Sequence, residues 1–436
     1  MSEHWISTTL GEYILFKNGK SSPSRDIAED IPVYGSNGII GFSSESNAEE
    51  DSLIIGRVGS YCGSVYHSKK KCWVTDNAII GLPKVKGESE FWYFLLTKLQ
   101  LNSYRSGSGQ PLVNQSTLNS IPVEIPKSPS VRQAIGKQLF SFENKIYLNN
   151  QINQTLESIA QAIFKSWFVD FDPVRAKIAA KLEGKNPELA AMCAISGTSE
   201  AEIEQMAEEN LAELRATAAL FPDELVESEL GEVPKGWDKY SLSKMITLIG
   251  GGTPKRSEPN YWNGDIFWFS VKDVPNEGEV FVITTQEKIS ELGLNKSSTK
   301  LLPVGTTIIT ARGTVGKIAL VGYEMAMNQS CYGVQGINGV RQFMTYYLIK
   351  NAVEVLKKNT HGAVFDTITQ STFDTVTSIK PSIEMMDLFE SKVEKIMGHI
   401  KNNLYENNSL IALRDTLLPK LLSGELDVSG VQDEVA

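Results

Sequence analysis

The strings in this sequence that come nearest to catalytic chemistry each lack a part that the chemistry needs. Asp172-Pro173-Val174 and Asn186-Pro187-Glu188 approach the Asn/Asp-Pro-Pro-aromatic loop of amino-group methylation, but neither has the second proline or the aromatic ring. Gly316-Lys317 could close a phosphate-cradling loop, yet Ala311 stands where the leading glycine is required and Ile318 where a Ser or Thr should bind magnesium. Asp170 followed by Glu183-Gly184-Lys185 mimics the Asp…Glu-x-Lys set of metal-dependent nucleases. Those groups belong on a strand, whereas IAAKLEGK reads as a helix end with a glycine stop. Cys62, His67 and Cys72 are evenly spaced but have no fourth ligand nearby and no CxxC knuckle. His4, His361 and His399 neighbour no Ser or Cys nucleophile with a carboxylate partner. The expectation is a chain with no catalytic residue, no metal and no cofactor of its own.

The residues better suited to a task are those suited to contact. Arg57 in GRVGS and Arg312 in ARGTVG stand in glycine-flanked turns after apolar strands, where a guanidinium can reach a phosphate or a guanine edge. An arginine paired with a carboxylate inside its own domain is the competing reading. Ser36 and Asn37 in YGSNG, Ser60 in the Arg57 turn, Lys69 and Lys70 in HSKKKC, and Ser106 and Gln110 in RSGSGQ are the polar loop candidates of the first half. Lys255 and Arg256 in GGTPKRS, Ser270, Lys272 and Asp273 in FSVKD, Thr314 in the Arg312 turn, and His361 in NTHG form the set in the second half. Any of them can also be a solvated turn, and Trp262 and Trp268 read as core rather than as base-stacking rings.

These candidates recur because the chain repeats itself. LIIGRVGSYCG resembles TIITARGTVG, placing Arg57 opposite Arg312 at an offset of 255; QST at 115–117 returns at 370–372 and Pro126 as Pro381. Trp5, Leu10 and Gly19 match Trp237, Leu242 and Gly251 at an offset of 232, so the second copy carries about 23 extra residues, among them EPNYWNGDIFWFSVKDV. Each copy opens with short β-branched and aromatic runs broken by Gly, Pro, Asn and Ser, and closes with a long helix. Apolar positions step by four and three from Ile135 to Trp167 and again from Phe389 to Leu421. Such a heptad seam is the pattern of coiled-coil packing. Asparagine interrupts it at the same steps in both helices, Asn149 and Asn153, then Asn403 and Asn407.

Buried amides cost on the order of 1 to 3 kcal/mol when unpaired, so their recurrence suits register more than stability. If the helices pair antiparallel, asparagine meets asparagine and any slip buries it against leucine or isoleucine. The competing reading leaves the asparagines facing water. A seam of 33 residues is about 50 Å long at roughly 1.5 Å per residue, or roughly fourteen base pairs at about 3.4 Å each. A two-headed ruler of that size suits two spaced half-sites on a duplex.

Charge does not oppose this. Of the net −10, the segment 170–232 holds fifteen acidic and five basic residues, leaving 37 of each sign elsewhere. No apolar run approaches the roughly 20 residues of a membrane span, MSEHWISTTL has no secretion-signal features, and four scattered cysteines suggest reduced thiols. The expectation is a cytoplasmic protein with no membrane partner.

The order of Trp237, GGTPKRSEPNYWNGDIFWFSVKDV, TIITARGTVGK and a helix ending LLPKLLSGEL resembles the specificity subunits of type I restriction-modification systems, and IPVYGSNGIIGF, SLIIGRVGSYCG, WVTDNAIIG, SGSGQPLVNQSTLNSIPVEIP and AIFKSWFVDFDPVRAK fit the same family. The resemblance spans essentially the whole chain. It implies an α+β fold of two pseudo-symmetric, strand-rich target-recognition domains, each followed by a long helix, the two helices pairing as an antiparallel coiled coil. The divisions expected are a recognition domain over 1–130, a helix over 131–170, an acidic helical spacer over 171–232, a second recognition domain over 233–381, a second helix over 382–426 and a tail over 427–436. The spacer reads as a solvated linker; docking on a modification subunit is the sharper alternative. The resemblance further implies a non-catalytic subunit that binds a bipartite double-stranded DNA target and holds two modification (methyltransferase) subunits. Adenine-N6 methylation from S-adenosylmethionine would come from those subunits, and ATP- and magnesium-dependent translocation and cleavage from restriction subunits. A stand-alone pseudo-dimeric DNA-binding regulator and a two-lobed protein-interaction module that never meets DNA are the alternatives.

Overall fold

The computed structural model describes residues 5–105, 112–229, 231–359 and 367–426, with the side chains of residues 358 and 359 left aside. The candidates Ser106, Gln110 and His361 lie outside the described residues. The chain divides into two compact units, Met1–Tyr147 with Asn407–Ala436, and Leu148–Glu406. Each division falls within a long helix, Pro129–Phe168 or Ile383–Leu421, beside Asn149 and Asn407. Each unit therefore owns one strand-rich domain and half of each helix.

In the first unit, strands Ile14–Asn18, Ala78–Pro83, Ser52–Gly56 and Val65–Ser68 lie side by side in that order, all antiparallel. Every residue of Ser52–Gly56 is buried, as a central strand with both faces covered requires. A smaller sheet orders Gly38–Ser43, Ile31–Gly35 and Trp73–Val74, the last pair parallel, and Trp5–Thr9 pairs with Pro122–Pro126. Helix Ser89–Lys98 covers the larger sheet. It packs so closely on the first long helix that a Cβ at Gly136 would stand 2.5 Å from the Phe91 backbone nitrogen.

The second unit repeats this plan. Its larger sheet orders Ile246–Gly250, Cys331–Gly336, Thr307–Thr310 and Ile318–Val321, its smaller one Glu287–Ile289, Trp262–Phe269 and Met325–Met327, and Asp238–Ser241 pairs with Thr377–Lys380. Helices Ser89–Lys98 and Gln115–Ser120 have their counterparts in Gln342–Asn359 and Gln370–Asp374. Three strands have no counterpart among the described residues of the first unit: Phe281–Val282 lies parallel to Ile318–Val321 and extends the larger sheet to five, and Leu225–Ser228 pairs with Gly231–Pro234.

The seam read from the sequence is the packed face in both units. Ile135 and Leu139 share a core with Leu421 and Leu422, while Ala160, Phe164 and Trp167 share one with Phe389, Val393, Met397 and Ile400. In both, early residues of one helix meet late residues of the other, so the pairing is antiparallel. Arg414, the charged departure on the seam, is half-buried in the first unit and paired there with Glu143.

Buried ionic contacts pin each domain to its helix. Arg132 on the first long helix, 1% exposed, donates from Nη2 to the fully buried Glu88 carboxylate at 2.6 Å, and Trp92 Nε1 donates to the other Glu88 oxygen at 3.0 Å. In the second unit the carboxylate is on the long helix: Glu390 accepts the Phe343 and Met344 N–H groups, each at 3.1 Å, capping the start of Gln342–Asn359.

The solvated-linker reading of 171–232 gives way to a folded element. Four helices form, Asp172–Leu182, Pro187–Ser196, Glu200–Ile203 and Glu208–Ala219, and the last three close over Ala191, Met192, Ile203, Leu214 and Ala218. Phe171, Val174 and Phe221 join the second unit's core. Lys177, nearly buried, donates to the Phe221 carbonyl at 2.9 Å and to Glu188 at 2.8 Å, and Lys392 of the second long helix reaches Glu213 at 2.8 Å. Acidic composition concealed an apolar cluster that three of the short helices gather only in three dimensions.

Candidate nucleic-acid interface

The arginine turns sit at equivalent exits of equivalent strands, but the arginines themselves are not equivalent. Leaving Ser52–Gly56, Arg57 donates its N–H to the Asn77 carbonyl (2.9 Å) and accepts from Val113 (3.0 Å). Leaving Thr307–Thr310, the residue with this pattern is Ala311, which donates to Ser330 (2.7 Å) and accepts from Ile368 (3.0 Å). The next residues, Val58 and Arg312, bridge Leu112 and Thr367. Arg312 therefore matches Val58, an offset of 254, and the offset of 255 holds only further downstream, where Leu112 and Val113 match Thr367 and Ile368. Successive side chains along extended backbone point to opposite faces, so the two arginines meet different surroundings. Arg57 is half-buried, with Nη1 3.2 Å from the Asp76 carbonyl and a buried Nε that has no partner among the described residues. Arg312 is exposed, and its guanidinium has no partner among the described residues.

Around the first turn, Ser60 is exposed in the single helical turn Gly59–Tyr61, and Lys70 is exposed. Ser36 is half-buried with its hydroxyl donating to the Asn77 carbonyl at 2.7 Å, which locks the tip of the Ile31–Gly35 and Gly38–Ser43 hairpin to the Arg57 turn. Asn37 is exposed beside it. Lys69 turns to its own long helix, donating to Asn144 Oδ1 at 2.6 Å with its ammonium 4.4 Å from the Phe140 ring centre.

Around the second turn, Thr314 and Lys272 are exposed, and Lys255 is exposed with Glu258 at 3.2 Å. Arg256 lies 3.8 Å over the Trp262 ring and 5.2 Å from Trp268, and it grips Glu287 through both terminal nitrogens. Arg256, a contact candidate by type, is thus an arginine paired with a carboxylate inside its own domain. That pairing raises its already high pKa and lowers that of Glu287. Trp268 is buried and donates from Nε1 to the Gly252 carbonyl at 3.0 Å, as a core ring does. Asp273 accepts from the Ser270 N–H (2.8 Å) and hydroxyl (2.9 Å) through one oxygen and from the Gln286 N–H (2.7 Å) through the other. Ser270 and Asp273 shape a loop, and Lys272 is what that loop displays.

The asparagines lie on the seam, not in water. Asn149 and Asn153 are fully buried, Asn407 is nearly so, and Asn403 is half-buried. In the second unit Asn403 Nδ2 donates to Asn153 Oδ1 at 2.8 Å, and Asn149 Nδ2 donates to the Glu406 carboxylate at 2.8 Å. Glu406 as a seam partner was not foreseen: it stands one position before Asn407, on a turn of helix that sequence spacing assigns to solvent.

The catalytic look-alikes are scattered into structural duties. Glu183 pairs with Lys185 at 2.7 Å past a helix end, with Gly184 at φ 68° making the stop, and Asp170 pairs with Lys165. Cys62 and Cys72 are buried in different apolar clusters. The arrangement offers two sets of exposed polar and cationic tips on rigid sheets, each tied to a shared helical seam. Such a surface can read a ligand.

A model of the type I restriction modification DNA specificity domain matches residues 2–158 and again 234–385, one match per repeat. The chain is 34% identical over 380 residues, 82% of its length and 81% of the relative's, to the type I restriction enzyme HindI specificity subunit of Haemophilus influenzae. It is 28% identical over 189 residues, 43% of this chain and 44% of the relative, to the MjaIX specificity subunit of Methanocaldococcus jannaschii. Among solved structures it resembles the type I restriction-modification S subunit from M. genitalium, with a TM-score of 0.58, 13% identity and 97% of each chain covered, a likeness of fold. With the domain matched twice, and a relative aligned along most of both chains, this protein belongs to the family of type I restriction-modification specificity subunits, with two target-recognition domains.

Proposed function

We propose that this chain binds a bipartite double-stranded DNA target, one half-site per recognition domain, and holds two methyltransferase subunits that modify an adenine N6 in each half. S-adenosylmethionine belongs to those subunits, and ATP and magnesium to restriction subunits that cleave unmodified DNA; this chain supplies recognition and spacing. The observation that carries the reading is the duplicated frame with unlike tips: the same strand exits present Arg312 to solvent in one domain and hold Arg57 half-buried in the other. Equal frames with unequal tips suit two different half-sites. Within this reading Arg57, Ser60 and Lys70, with Lys255, Lys272, Arg312 and Thr314, contact DNA, while Ser36, Arg256, Ser270 and Asp273 hold the loops that present them. Asn149, Asn153, Asn403 and Asn407 fix the helix register and hence the half-site separation.

Purified chain reconstituted with its methyltransferase subunits and footprinted on target DNA is expected to protect two patches separated by unprotected base pairs. One continuous patch, or protection by the subunits without this chain, overturns the proposal.

A further inference from the structure

The first long helix carries a second stripe besides the seam. Gln154, Glu157, Gln161 and Phe164 step by three, four and three, each one position after Asn153, Leu156, Ala160 and Ile163 of the seam. They share a face turned about 100° from it. Three of the four are polar, yet this stripe is where the second recognition domain sits. Phe164 stacks on Tyr347 with ring centres 5.5 Å apart, Gln161 Oε1 accepts from Lys350 Nζ at 3.0 Å, and the Glu157 carboxylate, 7% exposed, pairs with the same ammonium. At Gln154 the contact is with backbone: a Cβ at Gly278 would stand 2.8 Å from Gln154 Cα and 3.0 Å from its nitrogen. At an offset of 254 the second long helix places Asn408, Ile411 and Asp415 at the first three steps, and all three are exposed.

The Gly278 turn leads into Phe281–Val282, the edge strand without a counterpart among the described residues of the first unit. The turn is braced on itself, the Glu279 carboxylate accepting the Asn276 N–H at 2.8 Å and the Asn276 side-chain amide at 3.2 Å. Val280, Phe281 and Ile283 are buried in the core that holds Leu320 of the adjoining strand. That strand, Ile318–Val321, pairs with Thr307–Thr310, whose exit carries Arg312. A continuous packed path therefore runs from the Arg312 turn through two strands to Gln154, whose neighbour Asn153 accepts the Asn403 amide at 2.8 Å. Close-packed interiors transmit such contacts as position, because they hold little free space to absorb a shift.

We propose that Gly278, Glu157 and Lys350 are positioning residues for the second half-site: they brace the second recognition domain on the first long helix and so fix the length from the Asn153–Asn403 contact to the Arg312 turn. That length enters the half-site separation, and the inference rests on the DNA reading above. Separation is then set by two devices, the amides that hold helix in register with helix and this brace, which holds the domain on the helices. Gly278 has φ 86°, and its missing side chain lets the turn meet the helix backbone. Alanine there would push the turn away by about 1 Å before ordinary contact distance is reached.

The test is adenine methylation by the full-length chain with its methyltransferase subunits, on duplexes whose half-site separation varies by single base pairs. The wild type and Gly236→Ala are expected to accept one separation. Gly236 has the same left-handed backbone, φ 83°, with nothing within 4 Å, so its variant carries the strain of alanine without the contact. Gly278→Ala is expected to raise methylation at the next longer and shorter separations to within about tenfold of the optimum, with both half-site sequences unchanged. Glu157→Gln leaves Lys350 part-exposed and within reach of water, which keeps the fold, and the same broadening is expected. Methylation lowered by one common factor at every separation, as a purely structural lesion gives, a Gly236→Ala profile as broad as that of Gly278→Ala, or an unbroadened Glu157→Gln profile would each overturn the assignment. A wild-type target that is one unbroken sequence would overturn the DNA reading itself.

Discussion

Replacing Asn153 and Asn403 singly and together with leucine tests the register role through a double-mutant cycle. Asn153 is fully buried and accepts from Asn403 at 2.8 Å, and its own Nδ2 has no partner among the described residues. Asn403→Leu removes that donor and leaves a wholly buried amide beside a leucine, a cost of about 1–3 kcal/mol. Asn153→Leu leaves the half-buried Asn403 amide within reach of water, a smaller cost of about 1 kcal/mol. The double variant has no amide left to satisfy and buries two leucine side chains, each contributing about 1–2 kcal/mol, so it is expected to exceed the wild type. The coupling energy should be about 2 kcal/mol or more. Amide exchange of residues 149–156 and 400–407 reads these local opening energies without requiring the whole chain to unfold in one step. A methylation assay on targets whose half-site separation varies by single base pairs reads the consequence: one separation for the wild type, several for the double variant. Energies additive within about 0.5 kcal/mol, or a double variant that keeps a single separation, would refute the register argument.

Arg132→Met strands the fully buried Glu88 carboxylate, so the first domain is expected to lose about 3–5 kcal/mol by denaturant unfolding, far more than a surface ion pair would cost. Arg312→Ala should leave the unfolding temperature unchanged while weakening binding of the target by about 1–3 kcal/mol and relaxing base preference within one half-site. Arg256→Ala should do the reverse, costing about 1 kcal/mol of stability through the lost ring stacking and the half-exposed ion pair with Glu287. Burial holds the His67 pKa below its ordinary 6.5, so the folded chain resists a proton that the unfolded chain accepts. Stability from this group is complete above 6.5 and falls as the pH drops toward the lowered folded value. His67→Phe should flatten that part of a stability-versus-pH curve.

The duplicated plan was legible because its anchors are local: glycine turns, the QST helix start and a heptad seam each announce themselves within a few residues. The asparagine steps were legible for the same reason. What failed needed distance or a count of one. Arg57 and Arg312 align as letters at an offset of 255, but the strand exits that carry them match at 254, and one residue along extended backbone sends a side chain to the other face. Arg256 was a contact candidate by type; only the fold brings Trp262, Trp268 and Glu287 to it from positions up to 31 residues away. Phe281–Val282 is two residues long, too short for any period, and its role depends on a parallel partner nearly forty residues downstream. The spacer misled because its acidic faces outnumber the few apolar residues that three of its four helices gather into a core.

The central claim is that each recognition domain reads its own half of a split target. Sequencing that detects N6-methyladenine, applied to DNA from cells carrying the wild-type chain with its methyltransferase subunits and from cells carrying the Arg312→Ala variant, addresses it most directly. The account predicts one bipartite motif with a modified adenine in each half for the wild type, and a variant motif relaxed in one half while the other half and the separation stay fixed. A single uninterrupted motif, or a variant motif altered in both halves, would contradict it.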